Sequence, residues 1–185
     1  MDAKQIKEEG LNLYREARYE EAAAKFVEAQ QAFVAEGNPK EAAECANNRG
    51  VCWRQAAKFD EATAAFEEAR TLFEAQNDEM GVAQVLGNLA ALAESRGDVK
   101  QAAELYQQAI DIFEKLDAQD YAKDTYTALS KLKLKQRDFF GAIAAFDAGL
   151  EQLDKPNLVE RMARKILGSG LPKVDEPKDD KPSEE

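Results

Sequence analysis

An asparagine recurs in one register of this sequence, as Asn48-Arg49-Gly50 and, forty residues on, as Asn88-Leu89-Ala90. A carboxamide both donates through nitrogen and accepts through oxygen, so one such side chain can hold a peptide carbonyl and a peptide N–H together. It can equally bond a neighbouring helix or meet water. Little else in the chain has the spacing of chemistry. There is no His, which removes His bases, most catalytic triads and most zinc sites. Cys45 and Cys52 stand seven apart in a helical pattern, about 10 Å at ~1.5 Å rise per residue, beyond the reach of a disulfide. They read as two small apolar side chains. The carboxylate pairs Glu20-Glu21 and Glu67-Glu68 look solvated, and no Gly-rich phosphate loop or metal-ligand spacing occurs. The sequence therefore predicts no enzyme, no cofactor and no metal.

The formal charge of -11 argues against a nucleic-acid binder, which needs a basic field to displace counterions, and against anionic membrane surfaces. The first residues form no apolar signal segment, and no apolar run approaches a membrane span of about 20 residues. A cytoplasmic protein is expected.

The elements that must position these side chains follow from one column, Ala22, Ala62, Ala102 and Ala142. Beside it run Phe26, Phe66, Tyr106 and Phe146, then Ala29, Ala69, Ala109 and Gly149, then Phe33, Phe73, Phe113 and Leu153. Steps of four, three and four put them on one helical face, where small residues admit a neighbouring helix and rings fill the space left. Upstream, Gly10, Gly50, Ala90 and Ser130 form a second small column. Ile6, Ala46, Leu86 and Tyr126 precede it, and Leu13, Trp53, Ala93 and Lys133 follow it. Eight helices are predicted, roughly 3–16, 20–36, 40–56, 60–76, 80–96, 98–116, 119–136 and 138–153. Asp60, Asp98 and Asp138 are the expected N-caps, and Pro39 suits a first turn. Lys133 departs from its column, with Leu132 and Leu134 expected to take over its burial. Trp53 reads as core from Leu13 and Ala93 in its column, or as a ligand platform.

This pattern resembles the tetratricopeptide repeat, whose W-x2-L-G-x2-Y half is degenerate here and whose A-x3-F half matches in all four units. The 40-residue units are similar to those of kinesin light chains and Pins-type spindle-orientation scaffolds. The resemblance implies an all-α, right-handed α-solenoid of four helix-turn-helix units, at about 1–38, 39–78, 79–118 and 119–154. A capping helix over 155–168, with Leu158, Val159, Met162, Ile166 and Leu167, and a disordered acidic tail over 169–185 are expected to follow.

The resemblance also implies that the first helix of each unit lines a concave groove. Lys7, Tyr14, Arg15, Asn48, Arg54, Asn88, Lys131 and Lys135 become the candidate peptide-binding residues, among facing positions that include Asn47, Gln84, Gly87 and Asp124. In long-unit relatives the Asn column holds an extended peptide. The groove comes out mildly basic while the second helices carry the acidity, so an acidic peptide segment of another protein is the expected ligand. The carboxylate clamp of chaperone-binding relatives maps onto Lys7, Leu11, Asn48, Gln84 and Asn88, and lacks both cations of its third unit. The expected function is a protein-binding adaptor or scaffold. A self-assembling scaffold or homodimer is the alternative, and a chaperone-tail-binding co-chaperone the lesser one.

Overall fold

A computed structural model describes residues 2–152 of the chain. Among the described residues there are eight α-helices and no strand: α1 Ala3–Arg15, α2 Tyr19–Ala35, α3 Pro39–Gln55, α4 Phe59–Ala75, α5 Glu79–Arg96, α6 Val99–Lys115, α7 Gln119–Lys135 and α8 Phe139–Glu151. Each helix packs on the next along the chain, as four units of the tetratricopeptide type, with bounds close to those the columns predict. The expected capping helix and tail lie outside the described residues.

The backbone repeats at half the side-chain period. Residues 17, 37, 57, 77, 97, 117 and 137 all have positive φ, one at each helix-helix joint. At every joint the following N–H donates to a carbonyl five residues back, as in Arg18 to Leu13 (2.9 Å), Lys58 to Trp53 (2.9 Å) and Asp138 to Lys133 (3.0 Å). This is the closure of a Schellman turn, which satisfies carbonyls left over at a helix end. Joints inside a unit and joints between units are thus made the same way. Glycine supplies the left-handed residue only at Gly37 and Gly97; Ala17, Ala57, Asn77, Asp117 and Arg137 adopt it despite a Cβ.

Side chains cap five helix starts. Asp2, Asn38, Asp78, Asp98 and Asp138 each accept from an amide in the first turn. Asp60 does not, contrary to expectation: α4 starts one residue earlier, at Phe59 behind Lys58, so the Asp60 carboxylate falls inside the first turn. It pairs with the Arg96 guanidinium at 2.6 Å instead.

Small residues set how closely helices approach, at Gly50 of the second small column and at Gly81 outside both columns. A Cβ added at Gly50 would stand 2.5 Å from the Phe66 ring, and one at Gly81 would stand 2.2 Å from the Phe73 ring. The first contact seats a second helix on the first helix of its own unit; the second seats a unit on its successor. Phe26, Phe33, Phe66 and Phe73 are all fully buried. Where Ser130 occupies the small position, its hydroxyl donates to the Ala142 carbonyl at 2.8 Å, so the buried oxygen is not orphaned. Leu132 takes the burial that Lys133 cannot, while Leu134 stays about half exposed, against expectation. Lys133 reaches Asp138 at 3.5 Å. Trp53 packs between the first two units, as its column suggests, with Lys58 Nζ 5.1 Å from its ring centroid. Cys45 and Cys52 are free and buried, and burial pushes both thiols up to about 12.

Two outcomes follow from this geometry. Gly50→Ala should lower stability by about 1–2 kcal/mol in a thermal melt, because overpacking against Phe66 outweighs the better helix propensity of Ala. Ala57 is exposed with φ +57°, so Ala57→Gly should raise stability by about 0.5–1 kcal/mol through relief of left-handed strain.

Candidate functional site: the face of the first helices

The first helices α1, α3, α5 and α7 are tied edge to edge by side chains one unit apart. Lys7 of α1 donates to Glu41 (2.7 Å) and Glu44 (2.5 Å) of α3. Gln55 of α3 donates to the Tyr14 hydroxyl of α1 at 3.2 Å. Asn88 of α5 donates to the Asn47 carboxamide oxygen of α3 at 2.9 Å. Lys135 of α7 pairs with Glu94 of α5. α3 and α5 also touch directly. The floor is therefore a layer of its own, with the second helices behind it.

These ties redistribute the charge read from sequence. Lys7 is partly buried between its two carboxylates; burial opposes its charge, but the two partners raise its pKa above the ordinary lysine value. Arg15 is held by Glu8 at 3.1 Å and Asn12 at 2.6 Å on its own helix. Lys135 is spent on Glu94. Among the expected groove cations, Arg54 and Lys131 make no ion pair with a described residue. Arg54 is partly exposed, yet its Nε is buried without a hydrogen-bond partner. Tyr14 is half-buried and packs on Tyr19 at a centroid distance of 5.5 Å.

The two asparagines of one sequence register part company. Asn48 is partly exposed and makes no side-chain hydrogen bond to a described residue. The Asn88 nitrogen is taken by Asn47, leaving its oxygen and the Asn47 nitrogen open. That dyad borders a hollow of about 380 Å³, lined also by Gln84 and Gly87 of α5, Tyr106 and Phe113 of α6, and Tyr121 and Asp124 of α7. Tyr106 is buried, and burial, with Glu94 beside it, pushes its phenol up to about 12. It therefore lines the hollow as a neutral ring.

Gly87 is the feature that sequence columns alone do not single out. It lies in the middle of α5, where Gly costs roughly 1 kcal/mol against Ala. Gly10, Gly50, Gly81 and Gly149 each have an aromatic side chain against the missing Cβ, but a Cβ at Gly87 would meet nothing within 4 Å. No packing inside the described fold requires it. Tyr121 was also missed. It stands in the register of Gly81, forty residues on, and where Gly81 lets Phe73 close in, Tyr121 instead stacks on Phe113 at 5.3 Å. Its ring remains about half exposed.

Among the described residues, no helix is long and apolar enough to cross a membrane. Among solved structures the fold is similar to that of BtubC (BKLC) from P. vanneervenii, with a TM-score of 0.69 and 22% identity over 92% of this chain. The chain spans 66% of that protein's length. PilF of Pseudomonas aeruginosa is a looser likeness, with a TM-score of 0.46 and 17% identity over 90% of this chain and 83% of that one. No curated protein matches the sequence. The repeat type expected from the alanine and aromatic columns is the one found, and a family model for the soluble NSF attachment proteins (SNAP) matches residues 2–167. The chain thus belongs to the soluble NSF attachment protein family, built of tetratricopeptide-like helical repeats.

Proposed function

We propose that this chain is a protein-binding adaptor that holds an extended segment of another protein against its first helices. Tetratricopeptide-like folds are in general interaction scaffolds rather than catalysts. The observation that carries the finer reading is the open hollow beside the Asn47–Asn88 dyad, whose mid-helix Gly87 faces empty space. A helix gives up stability at such a position when a ligand backbone must come close. Asn48, Asn88 and Asn47 supply carboxamides for the segment's main chain, and Arg54 and Lys131 supply cations for its carboxylates. Lys7 and Lys135 serve chiefly to fix the helices in register, and Arg15 is held within its own helix, since their charges are already met. The acidic-ligand preference thus narrows to two positions.

The apolar stretch within 155–168 is proposed as a cap over the outer end of the fourth unit, with the tail beyond 169 left free. Phe139 and Phe140 are 60% and 73% exposed there, and Phe140 stands where the other units carry Glu20, Asp60 and Lys100. The same exposure favours a second reading, in which copies of the chain associate through this end.

Two experiments separate these readings. Asn48→Ala with Asn88→Ala, or Arg54→Glu with Lys131→Glu, should abolish capture of the partner protein from a lysate of the source cell while leaving the far-UV circular dichroism intact. Undiminished capture would remove the groove reading. Light scattering should find the full chain monomeric, and a chain ending at residue 154 less heat-stable. A full-length dimer that Phe140→Asp converts to monomer would favour association instead.

A further inference from the structure

The furrow between α5 and α7 has a chemistry of its own. Its first hollow is walled on one side by Gly87 and on the other by the Phe113–Tyr121 stack, an apolar slot with one exposed ring face. The single charged group in that lining is Asp124, which forms no hydrogen bond or ion pair with any described residue. A second hollow of about 440 Å³ continues along α7, sharing Asp124 and Ala128 with the first and bordered by Lys131. Lys131 likewise has no ion pair among the described residues. The other ions there, Glu94 and Lys135, neutralise one another. The hydroxyls of Thr125 and Thr127 are turned back to the carbonyls of Tyr121 (2.8 Å) and Lys123 (2.9 Å), so they offer no donor to a ligand.

Asp124 and Lys131 are seven residues apart on one helix, so about 10 Å separates them along the axis. An extended chain covers that distance in about three residues, at ~3.3 Å each. We infer that this furrow takes an extended segment of another protein whose apolar side chain fills the Gly87–Tyr121 slot, with a Lys or Arg beside it for Asp124 and an Asp or Glu about three residues further for Lys131. The free oxygen of Asn88 and free nitrogen of Asn47 hold its main chain at the slot. The motif is thus bipolar rather than acidic throughout, because complementary charge at both positions sets register and excludes wrong segments. This inference rests on the groove reading above and specifies its ligand.

The test is selection of a random dodecapeptide display library on the full-length chain, followed by fluorescence anisotropy with the enriched peptides as synthetic probes. Enriched sequences should place an apolar residue next to a Lys or Arg, with an acidic residue about three positions on. Gly87→Leu fills open space, so it should melt no lower than the parent and yet weaken binding roughly tenfold or more. The swap Asp124→Lys with Lys131→Glu should select peptides of inverted polarity. Enrichment without that charge spacing, or binding indifferent to Gly87→Leu, would overturn the inference. Probes that respond to Asn48→Ala but to none of the furrow variants would leave the groove reading standing and this one refuted. Probes indifferent to every groove variant, or a library that yields no binder, would remove both.

Discussion

The structure depends on one steric bargain, an aromatic ring set where a neighbouring helix has no room for a side chain. Phe66 lies on Gly50 within a unit and Phe73 lies on Gly81 between units, each at distances that a Cβ would violate. Close backbone approach lets the ring be wholly buried, and ring burial is the large apolar term that holds two such helices together. Because each unit touches chiefly its neighbours, stability is passed along the stack by these local seats rather than gathered in one central core.

The second constraint is regularity of the joints. A Schellman closure every twenty residues turns each helix back on its predecessor through the same backbone geometry. The chain accepts left-handed strain at Ala17, Ala57 and Arg137 to keep this period. An extra residue in any joint would rotate the next helix and carry its rings off the small residues that receive them. Joint and seat therefore fix one another.

The face of the first helices is what this scaffold leaves available. Its side chains do two kinds of work. Lys7, Tyr14, Gln55, Glu94 and Lys135 bridge units and set the spacing of the floor. Arg54, Asn48, Asp124 and Lys131 have no comparable partner among the described residues. At the third and fourth units the floor opens: Tyr121, in the register of Gly81, stacks on Phe113 with its ring about half exposed, while Gly87 appears where no ring needs it. The same principle that closes the core elsewhere here makes a slot.

Much of the fold was legible in the residues. The alanine, aromatic and small-residue columns gave helix number, bounds and pairing, since burial of a helical face imposes a period that sequence must obey. Pro39, Asp98 and Asp138 announced helix starts because capping and first-turn preference are local chemistry. Asp60 misled, since the cap position falls two residues earlier, at Lys58, which turns Asp60 into a first-turn carboxylate. The twenty-residue joint was hidden because five of its seven left-handed residues are not glycine. For the site, the family resemblance implied that Asn48, Asn88, Arg54 and Lys131 share one face, while helical spacing by itself groups only residues of the same helix. Only tertiary structure could decide that Lys7 and Lys135 are spent on carboxylates thirty-seven and forty-one residues away, that Asn88 bonds Asn47 while Asn48 stays open, and that Gly87 looks onto empty space. Periodicity is a property of one helix; whether a charge is met or a gap is filled depends on what the next helix brings beside it.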